Sequence, residues 1–477
     1  MRHIYISIIL VLQIGIASSQ NEVDALRYSQ FEPVGTARFV SMGGAFGALG
    51  GDVSVMASNP AGIGVYRRGD MVFSMAWNSQ KVSSDYIGSK STATDVDFKP
   101  SNIGYVGVMK GLESSPWKYV NFGFGYNQLM DYQSKVSIHG VNPIGSILHY
   151  ETLQINQGQS RNDNAYYLAD AIFFDSTSNH YVNDYQDNDS YENEQEHQFS
   201  SSGYAGEYDF TFAANYEDQW FFGATVGFQR IRYEQEIIHS ENPIDDIALQ
   251  SLTSDNYLKT RGNGLNLKVG FIYKINQMIR LGGAFHTPTI YNFRDDFWTN
   301  VNARIRYEDG EISNNMGESP LGYFNWEYAS PLRLMGSAAV VIGKYGTVSA
   351  EYEYISYSSM SLSSSDHSFN SENNMIDSLY QGTHNVRLGG ELRFGILSVR
   401  GGFQYYGSPF KPFASNHDAY KMIYSGGIGL TGENLYVDLA YQYTAQNERY
   451  FMYNWEGSGA DLEKFKSKYI AAVGFRF

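Results

Sequence analysis

Residues 435–444, Leu-Tyr-Val-Asp-Leu-Ala-Tyr-Gln-Tyr-Thr, decide how this chain folds. From Leu435 to Tyr443 every second residue is apolar or aromatic, and the residues between them include Asp438 and Gln442. Successive side chains of a β-strand point to opposite faces of the sheet. The stretch therefore predicts a strand with one apolar face and one polar face.

The same alternation recurs along the chain, for example in residues 208–212, 265–274 and 386–394. We count fourteen such segments, and an even number of strands is typical of single-chain bacterial barrels. The candidate strands fall near residues 70–86, 99–111, 117–138, 203–218, 219–238, 257–275, 278–308, 321–343, 346–361, 381–396, 397–408, 418–431, 434–448 and 464–477.

A soluble β-sandwich and a membrane β-barrel both produce this alternation, with apolar faces inward in the first and outward in the second. Many segments here have about ten or more residues, whereas soluble strands average about five or six. Aromatic residues crowd the segment ends, as in residues 352–357 and 405–406, and the chain ends in an aromatic strand, Tyr469–Phe477. These features predict an all-β fold, a 14-stranded antiparallel transmembrane β-barrel.

Loop lengths predict how the barrel is oriented. The short turns at residues 343–346, 395–396 and 431–434 would be periplasmic, and the long polar connections would be extracellular. The longest insertion spans about residues 139–202 and contains a helical-looking stretch, residues 165–174, followed by an acidic run at 183–196. The acidic run does not match the EF-hand pattern, so we expect a solvated loop there.

Composition excludes several other classes of protein. Charged residues make up 18% and aromatic residues 16% of the chain, which has 48 glycines, a balance that suits many strands joined by tight turns. A net charge of −16 argues against a nucleic-acid binder, which normally has a basic face. The chain has no cysteine, so it has no disulfide, thiolate nucleophile or cysteine-ligated metal.

No motif predicts a cofactor, a metal or an enzymatic activity. The ten histidines lack the H-E-x-x-H spacing of zinc sites. Residues 427–432 match the dinucleotide fingerprint, but they lead into another alternating strand and not into the helix that the fingerprint needs, so we interpret them as a hairpin turn.

The first nineteen residues are predicted to be a signal peptide. Arg2 and His3 precede an apolar run from Ile4 to Ala17, and small residues follow at 17–19. This run is too short for a transmembrane helix. We expect cleavage after Ser19 and export to the outer membrane.

Residues 20–69 break the alternation and do not look like part of the wall. The block is rich in small residues, notably in Ser41–Gly51 and in Asn59–Gly62. We expect these roughly fifty residues, which precede the first strand, to lie inside the barrel, because small side chains allow a folded segment to fit a narrow lumen.

Gly43-Gly44-Ala45-Phe46 and Asn59-Pro60-Ala61-Gly62, which follow a signal peptide and precede fourteen candidate strands, resemble the FadL/TodX family. This family consists of outer-membrane channels for long-chain fatty acids and aromatic hydrocarbons. Residues 284–291, 400–403 and 407–409 also resemble it and indicate its Bacteroidetes-type branch. The resemblance covers essentially the whole mature chain, although the insertion at 139–202 departs from the simplest members.

The resemblance implies three units: the signal peptide, an N-terminal hatch at residues 20–69 and the barrel at residues 70–477. The hatch would include Gly43, Gly44, Asn59, Pro60, Ala61 and Gly62. In this motif, Asn59 and Pro60 either shape a turn of the hatch or contact the ligand.

The resemblance also implies a kinked third strand that opens the wall sideways. In this chain the third strand contains Phe122–Asn127, and glycines inside a strand mark bulges or bends. We therefore expect the kink at Gly123, Gly125 and Asn127, with close packing of neighbouring backbones as the alternative.

Charged residues on the polar strand faces are expected to line the lumen. They either pair with each other or include one arginine that anchors a carboxylate-bearing ligand. The residues are Arg387, Glu391, Arg393, Arg400 and Asp438.

The predicted function is passive uptake of hydrophobic small molecules by a monomeric outer-membrane channel, with the ligand bound in the lumen and released sideways into the outer-membrane lipid. Two alternatives remain at this point. One is a scaffold for secretion or surface assembly, for which the long insertion would be a partner-binding surface. The other is a hydrolase with its site at the barrel rim.

Overall fold

A computed structural model of the chain describes residues 21–32, 34–143, 145–157, 163–185, 192–453 and 455–477. Fourteen wall strands run antiparallel to their neighbours in sequence, and some of them consist of more than one segment. They are β1 Asp70–Tyr86, β2 Ser89–Lys110, β3 Trp117–Asp131 with Ser134–Asn142, β4 Asn193–Tyr216, β5 Trp220–Pro243, β6 Leu249–Lys274, β7 Ile279–His286 with Ile290–Arg306, β8 Ile312–Glu318 with Gly322–Ala329 and Arg333–Ile342, β9 Gly346–Ser356 with Ser361–Ser363, β10 Gly382–Phe394, β11 Leu397–Tyr406, β12 Lys421–Thr431, β13 Leu435–Phe451 and β14 Gly459–Arg476.

The sheet closes on itself because β1 pairs with β14 over sixteen residue pairs, from Asp70 with Arg476 to Asp85 with Asp461. Beyond this ladder, the amide of Gly69 donates to the carbonyl of Phe477 at 2.9 Å, and the amide of Phe477 donates back at 3.1 Å. The predicted 14-stranded antiparallel barrel is confirmed.

Helices are short and lie outside the wall strands. They are α1 Glu22–Arg27, α2 Ala37–Ser41, α3 Ile147–Asn156, α4 Asp163–Leu168 and α5 Asn370–Leu379, with 3-10 helices at Val53–Ala57, Pro60–Val65, Tyr357–Ser359 and Glu456–Ser458. Within the described residues, no helix is both long and apolar enough to cross a bilayer. The predicted signal peptide, residues 1–19, lies outside the described residues.

The wall strands turn their apolar faces outward and their polar faces inward. Leu435, Leu439 and Tyr441 are exposed on the outer surface, whereas Asp438 and Gln442 between them are buried. This is the arrangement of a membrane barrel and the reverse of a soluble sandwich. The core of the protein is therefore its lumen, which polar side chains line together with clusters of buried apolar residues.

Part of the predicted aromatic belt faces inward. Tyr352, Tyr405 and Phe475 do project outward. Tyr357 is buried in the lumen, and Tyr406 lies within hydrogen-bond distance of Arg387, since neighbouring residues of a strand point to opposite faces.

The longest connection between wall strands is shorter than the predicted insertion at residues 139–202. Residues 139–142 belong to β3 and residues 193–202 to β4, so the connection spans residues 143–192. Its helix α4 ends at Leu168, and the stretch that follows forms a small hairpin, Phe173–Asp175 with His180–Val182. The central part of the acidic run, residues 186–191, lies outside the described residues.

A closed ladder predicts heat-modifiable migration in detergent gels. The unboiled protein should run at a different position from the boiled protein, because the continuous β1–β14 pairing resists dodecyl sulfate until it is heated. Identical positions for both samples, or recovery of the protein as a soluble periplasmic species, would contradict the barrel.

Candidate functional site

The N-terminal segment, defined here as residues 21–66, packs against the inner face of the wall. Asn59 makes a direct contact: its Nδ2 donates to the carbonyl of Gly47 at 2.6 Å and to that of Phe271 in β6 at 3.1 Å. Its Oδ1 accepts from the amide of Ala61 at 3.2 Å, which caps the 3-10 helix that follows. Asn59 thus begins a helix and fixes it to the wall.

Wall glycines leave room for this segment. A Cβ at Gly270 would lie 2.0 Å from Oδ1 of Asn59, and a Cβ at Gly223 would lie 2.4 Å from the carbonyl carbon of Pro60. Larger residues at either position would push the segment off the wall. The wall glycines that face the segment in this way are Gly104, Gly123, Gly125, Gly223, Gly270, Gly282, Gly389, Gly402 and Gly427.

Gly43 and Gly44 form a turn that approaches β10 and β11. Their φ angles are +62° and +67°, in the left-handed region that glycine adopts without strain. A Cβ at Gly402 would lie 2.2 Å from the amide nitrogen of Gly43, and one at Gly389 would lie 2.2 Å from the carbonyl oxygen of Met42. Inside the segment, Gly62 is packed as tightly, because its Cβ would lie 2.7 Å from a methyl group of Val55.

Gly123 and Gly125 do not bend β3. Both pair regularly with β2 on one side and with β4 on the other. A Cβ at Gly123 would lie 2.6 Å from Sδ of Met56, and one at Gly125 would lie 2.5 Å from its Cε. β3 is therefore regular at Gly123 and Gly125, which admit a side chain of the N-terminal segment, whereas Asn127 is the last residue of β3 that pairs with β2.

The predicted lumen charges form networks with each other. Arg400 contacts Glu391 through Nε at 2.6 Å and Asp438 through Nη1 at 2.5 Å. Arg38 of the N-terminal segment contacts the same Glu391 at 3.1 Å. Arg393 lies at the end of β10 with its side chain 41% exposed, 2.6 Å from Glu391.

A second network surrounds Arg387, whose guanidinium contacts Glu351 and Glu353 at 2.5 Å each. Glu351 also accepts from the backbone amide of Gly47 at 2.8 Å. Arg387 and Arg400 each contact two carboxylates, so neither is available to anchor a ligand carboxylate in this structure. The lumen charges instead connect the wall to the N-terminal segment.

The ladder between β2 and β3 ends part of the way up the barrel. Its last pair is Asn102 with Asn127. Beyond it, β2 continues to pair with β1 up to Tyr86 and Ser89, and β3 continues to pair with β4 up to Asn142 and Asn193. The structure shows no ladder between residues 89–101 of β2 and the second segment of β3. We refer to this unpaired seam as the lateral slit.

β3 opens the slit by bending inward. Its two segments are interrupted at Tyr132 and Gln133, after an irregularity between Gln128 and Met130. Past the bend, Ser84, on the inner face of β1, donates its hydroxyl to the carbonyl of Ser137 at 2.6 Å. The second segment of β3 therefore lies partly beneath β1, while its side chains still contact β2, as Lys135 does with Asp95.

Gly203 in β4 accommodates the bend. Its φ is +120°, and its carbonyl accepts from the amide of Tyr132 at 3.2 Å. A Cβ at this position would lie 2.1 Å from the carbonyl oxygen of Arg232 in β5. The residue that marks the kink is thus on the neighbouring strand, which sequence reasoning about β3 alone missed.

Polar side chains bridge the lateral slit. Lys99 of β2 contacts Asp131 of β3 at 2.6 Å, and Gln133 donates to Asp95 at 2.7 Å. Lys135 lies 3.6 Å from the same Asp95. The seam is thus held by side-chain contacts where the rest of the wall is held by backbone hydrogen bonds.

An aromatic cluster lies in the lumen beside the slit. Phe293 of β7 stacks on Trp326 of β8 at 4.5 Å between ring centroids, and Tyr132 meets Tyr233 of β5 edge to face at 5.4 Å. All four side chains are buried. We call these four residues the aromatic chamber. Tyr132 belongs both to the chamber and to the bend of β3, so the chamber adjoins the slit.

Tyr28 of the N-terminal segment occupies the aromatic chamber. Its ring stacks on Phe293 at 4.9 Å and meets Tyr132 and Tyr233 edge to face at 6.1 and 6.0 Å. The side chain is fully buried. These are the geometries that aromatic pairs prefer, so the protein fills the chamber with an aromatic ring of its own.

Glu32 fixes the same part of the segment to the wall. Its carboxylate lies 2.9 Å from Nζ of Lys421 and 4.0 Å from that of Lys468. Burial alone would raise the pKa of Glu32, but Lys421, Lys468 and Lys466 outweigh it and hold the pKa of this carboxyl well below its usual range. The carboxylate therefore stays ionised and paired at neutral pH.

A small cavity of mixed polar and apolar lining lies between the segment and the wall. Its volume is about 70 Å³, and Lys268, His286, Arg333 and Glu353 are among its lining residues. Such a space holds a few water molecules, whereas drug-sized ligands need about 300–1,000 Å³. Among the described residues, no group of three histidine or carboxylate side chains is arranged to hold a metal ion.

No family model and no curated protein sequence matches the chain. Solved structures do match it in fold. A FadL homologue from Pseudomonas aeruginosa aligns with 94% of this chain and 99% of its own, at 12% identity and a TM-score of 0.56. The toluene transporter TodX from P. putida gives the same coverage, at 11% identity and a TM-score of 0.54. The toluene transporter TbuX from Ralstonia pickettii covers 93% and 99%, at 15% identity and a TM-score of 0.51.

At these identities the likeness establishes a common fold. The FadL/TodX resemblance predicted from the sequence is confirmed at that level, over nearly the whole length of both chains. Two of these three structural neighbours are toluene transporters.

Adjacent glycines of β11 provide a test of how the N-terminal segment is docked. Gly402→Val should loosen the segment, because its side chain would meet Gly43, while Gly401→Val should not, because nothing lies within 4 Å of a Cβ there. Limited proteolysis and hydrogen exchange of residues 37–51 report the difference. Both variants should remain heat-modifiable, and equal protection in the two would contradict the docking.

Proposed function

We propose that the protein is an outer-membrane channel for passive uptake of small apolar molecules, with aromatic hydrocarbons as its preferred class. The ligand binds in the aromatic chamber and leaves through the lateral slit into the membrane. The observation that carries the proposal is the position of Tyr132, which lines the chamber and lies at the bend that creates the slit.

The rest of the lumen favours the chamber as the binding site. Around Arg387 and Arg400 the lining is charged, and a hydrocarbon gains nothing there. In the chamber, Phe293 and Trp326 supply apolar ring faces, and an aromatic pair contributes about 0.5–1.5 kcal/mol beyond the burial of its area. A ligand ring would replace the contacts that Tyr28 makes.

The N-terminal segment acts in this proposal as the hatch. It fills the lumen between the two charge networks, and Tyr28 blocks the chamber from within. Gly43, Gly44 and Asn59–Gly62 have an architectural role, because their contacts are with the wall and with each other. Uptake then requires Tyr28 to leave the chamber while the rest of the hatch stays docked.

A lateral exit suits an apolar cargo. Moving such a molecule into water costs about 0.8 kcal/mol per CH₂ group, and a route through the wall avoids that cost. The slit lacks a backbone ladder, so its opening breaks side-chain contacts such as Lys99 with Asp131 and no strand pairing. Val96 and Phe98, on the outer surface of β2 at the slit, would face the lipid that receives the cargo.

The structural neighbours support the same class of cargo. Two of them are described as toluene transporters and another as a monoaromatic hydrocarbon channel. The fold alone does not choose between cargoes, but the aromatic chamber favours a planar ring over a long flexible chain.

Removing the occupant of the chamber should strengthen ligand binding. Tyr28→Ala should bind toluene about two- to tenfold more tightly than the unmodified protein, because the ligand no longer competes with a stacked ring. Phe293→Ala should bind more weakly by a similar factor. Displacement of a fluorescent naphthylamine probe from the detergent-solubilised protein measures both.

Phe46→Ala is the matched control for Tyr28→Ala. Phe46 is another fully buried aromatic residue of the N-terminal segment, but its ring packs on Phe39 and not in the chamber. Its loss should leave toluene binding unchanged. If Tyr28→Ala and Phe46→Ala have equal effects, the chamber is not the ligand site.

Closing the lateral slit should stop uptake without stopping binding. The chain has no cysteine, so Asp95→Cys with Gln133→Cys supplies a unique thiol pair across the slit. A short bifunctional thiosulfonate should join the pair and lower uptake of labelled toluene by cells, and reduction should restore it.

The matched control crosslinks two strands that are already paired. Ser83→Cys with Thr92→Cys joins β1 to β2 at register partners whose side-chain oxygens are 3.5 Å apart. The reagent should leave uptake through this variant intact. Normal uptake by the crosslinked 95–133 variant would mean that the cargo leaves by another route.

A further inference from the structure

Three arginines form a row on the outer surface of the barrel. Arg232 of β5 is the register partner of Arg261 in β6, and Arg261 is the register partner of Arg294 in β7. Their strand neighbours, such as Ile231 and Phe293, are buried in the lumen. The arginine side chains therefore point away from the lumen, on three adjacent strands.

Such a row is unfavourable in isolation, because like charges directly opposite each other destabilise a sheet. Asp296 offsets part of the charge, at 3.5 Å from Arg261 and 3.1 Å from Arg294. In the part of the chain that the structure describes, no carboxylate lies within 4 Å of Arg232 or of Arg230, two residues before it. The cluster is locally positive on a chain whose net charge is −16.

The row lies where the apolar outer surface ends. Four residues back along each strand, toward the short turns, the register partners are Phe228, Leu265 and Ile290, which are all exposed on the outer surface. Above them the outer surface becomes polar. If the long connections are extracellular, as short periplasmic turns imply, this boundary is the headgroup level of the outer leaflet.

A groove on the outside of the wall adjoins the row. Its volume is about 660 Å³, and Arg232, Arg261, Arg294, Asn263, Asn325 and Glu327 contribute to its lining. Three guanidinium groups and three amides, since Asn292 also lines the groove, outnumber its one carboxylate, so hydrogen-bond donors are in excess. Planar guanidinium groups match the oxygen atoms of a phosphate group in pairs.

We propose that this row binds the phosphate groups of a phosphorylated glycolipid in the outer leaflet. The phosphate groups would lie among Arg232, Arg261 and Arg294, and the acyl chains would lie along Phe228, Leu265 and Ile290. The continuity of the arginine row with the apolar surface favours a lipid over free phosphate. The arginine side chains face away from the lumen, and Phe293 and Trp326 of the aromatic chamber border the groove from the wall side.

The test compares lipids that differ in their phosphate groups. Unmodified protein in nanodiscs should gain thermal stability from bis-phosphorylated lipid A and little from dephosphorylated lipid A, and inorganic phosphate at the same concentration should give no shift. Arg232→Gln with Arg261→Gln should weaken lipid A binding by about tenfold, since it removes charge-assisted hydrogen bonds. Native mass spectrometry of the bound lipid gives the affinity independently.

Arg306→Gln is the control, because it removes one positive charge from a residue that pairs with Asp246 far along β7. It should bind lipid A normally. In lipid-free detergent the double variant should be at least as stable as the unmodified protein, since a repulsion is removed. Equal lipid A binding by the double variant, or an equal shift with inorganic phosphate, would overturn the proposal.

Discussion

Lipid offers no hydrogen-bond partner to a peptide group, so every backbone donor and acceptor at membrane depth has to be paired within the protein. A sheet meets this condition when it closes, and here β1 and β14 close it along sixteen residue pairs. The other features follow from this constraint. Apolar side chains cover the outside, polar side chains are left inside, and those polar side chains bind an N-terminal segment that carries few charges of its own. The departure from full pairing, the lateral slit, is consequently a local feature with an identifiable structural cause.

That cause is distributed over neighbouring strands. β3 separates from β2 because it stays paired with β4. β4 can bend inward at Gly203, because glycine adopts without strain a backbone geometry that strains other residues. The same bend places the side chain of Tyr132 in the aromatic chamber. The aromatic chamber and the lateral slit therefore both depend on one backbone irregularity, which places the proposed ligand site next to the proposed exit.

Strand alternation was sufficient to predict the barrel, its strand number and its inverted polarity, because a period of two is a local property of the sequence. It failed where strands rise above the apolar surface. Residues 89–95 and 193–198 are almost entirely polar, so they gave no alternation to read. The kink and the chamber depend on contacts between residues far apart in sequence. Tyr28, Tyr132, Tyr233, Phe293 and Trp326 come from five different elements, and no local pattern connects them. The sequence pointed to Gly123 and Gly125, but that they make room for the side chain of Met56 follows only from the structure.

The direct link between the N-terminal segment and β1 constrains the order in which this molecule can be built. The segment precedes the first strand, and the wall that surrounds it is complete once Gly69 and Phe477 exchange their backbone hydrogen bonds. A folded segment cannot be threaded into a barrel that is already closed at that seam without opening it. The N-terminal segment, residues 21–66, must therefore wait until β14 has paired with β1 before it is enclosed. The seam between the first and last strands is then a checkpoint of assembly, at which a misplaced segment would leave the sheet open.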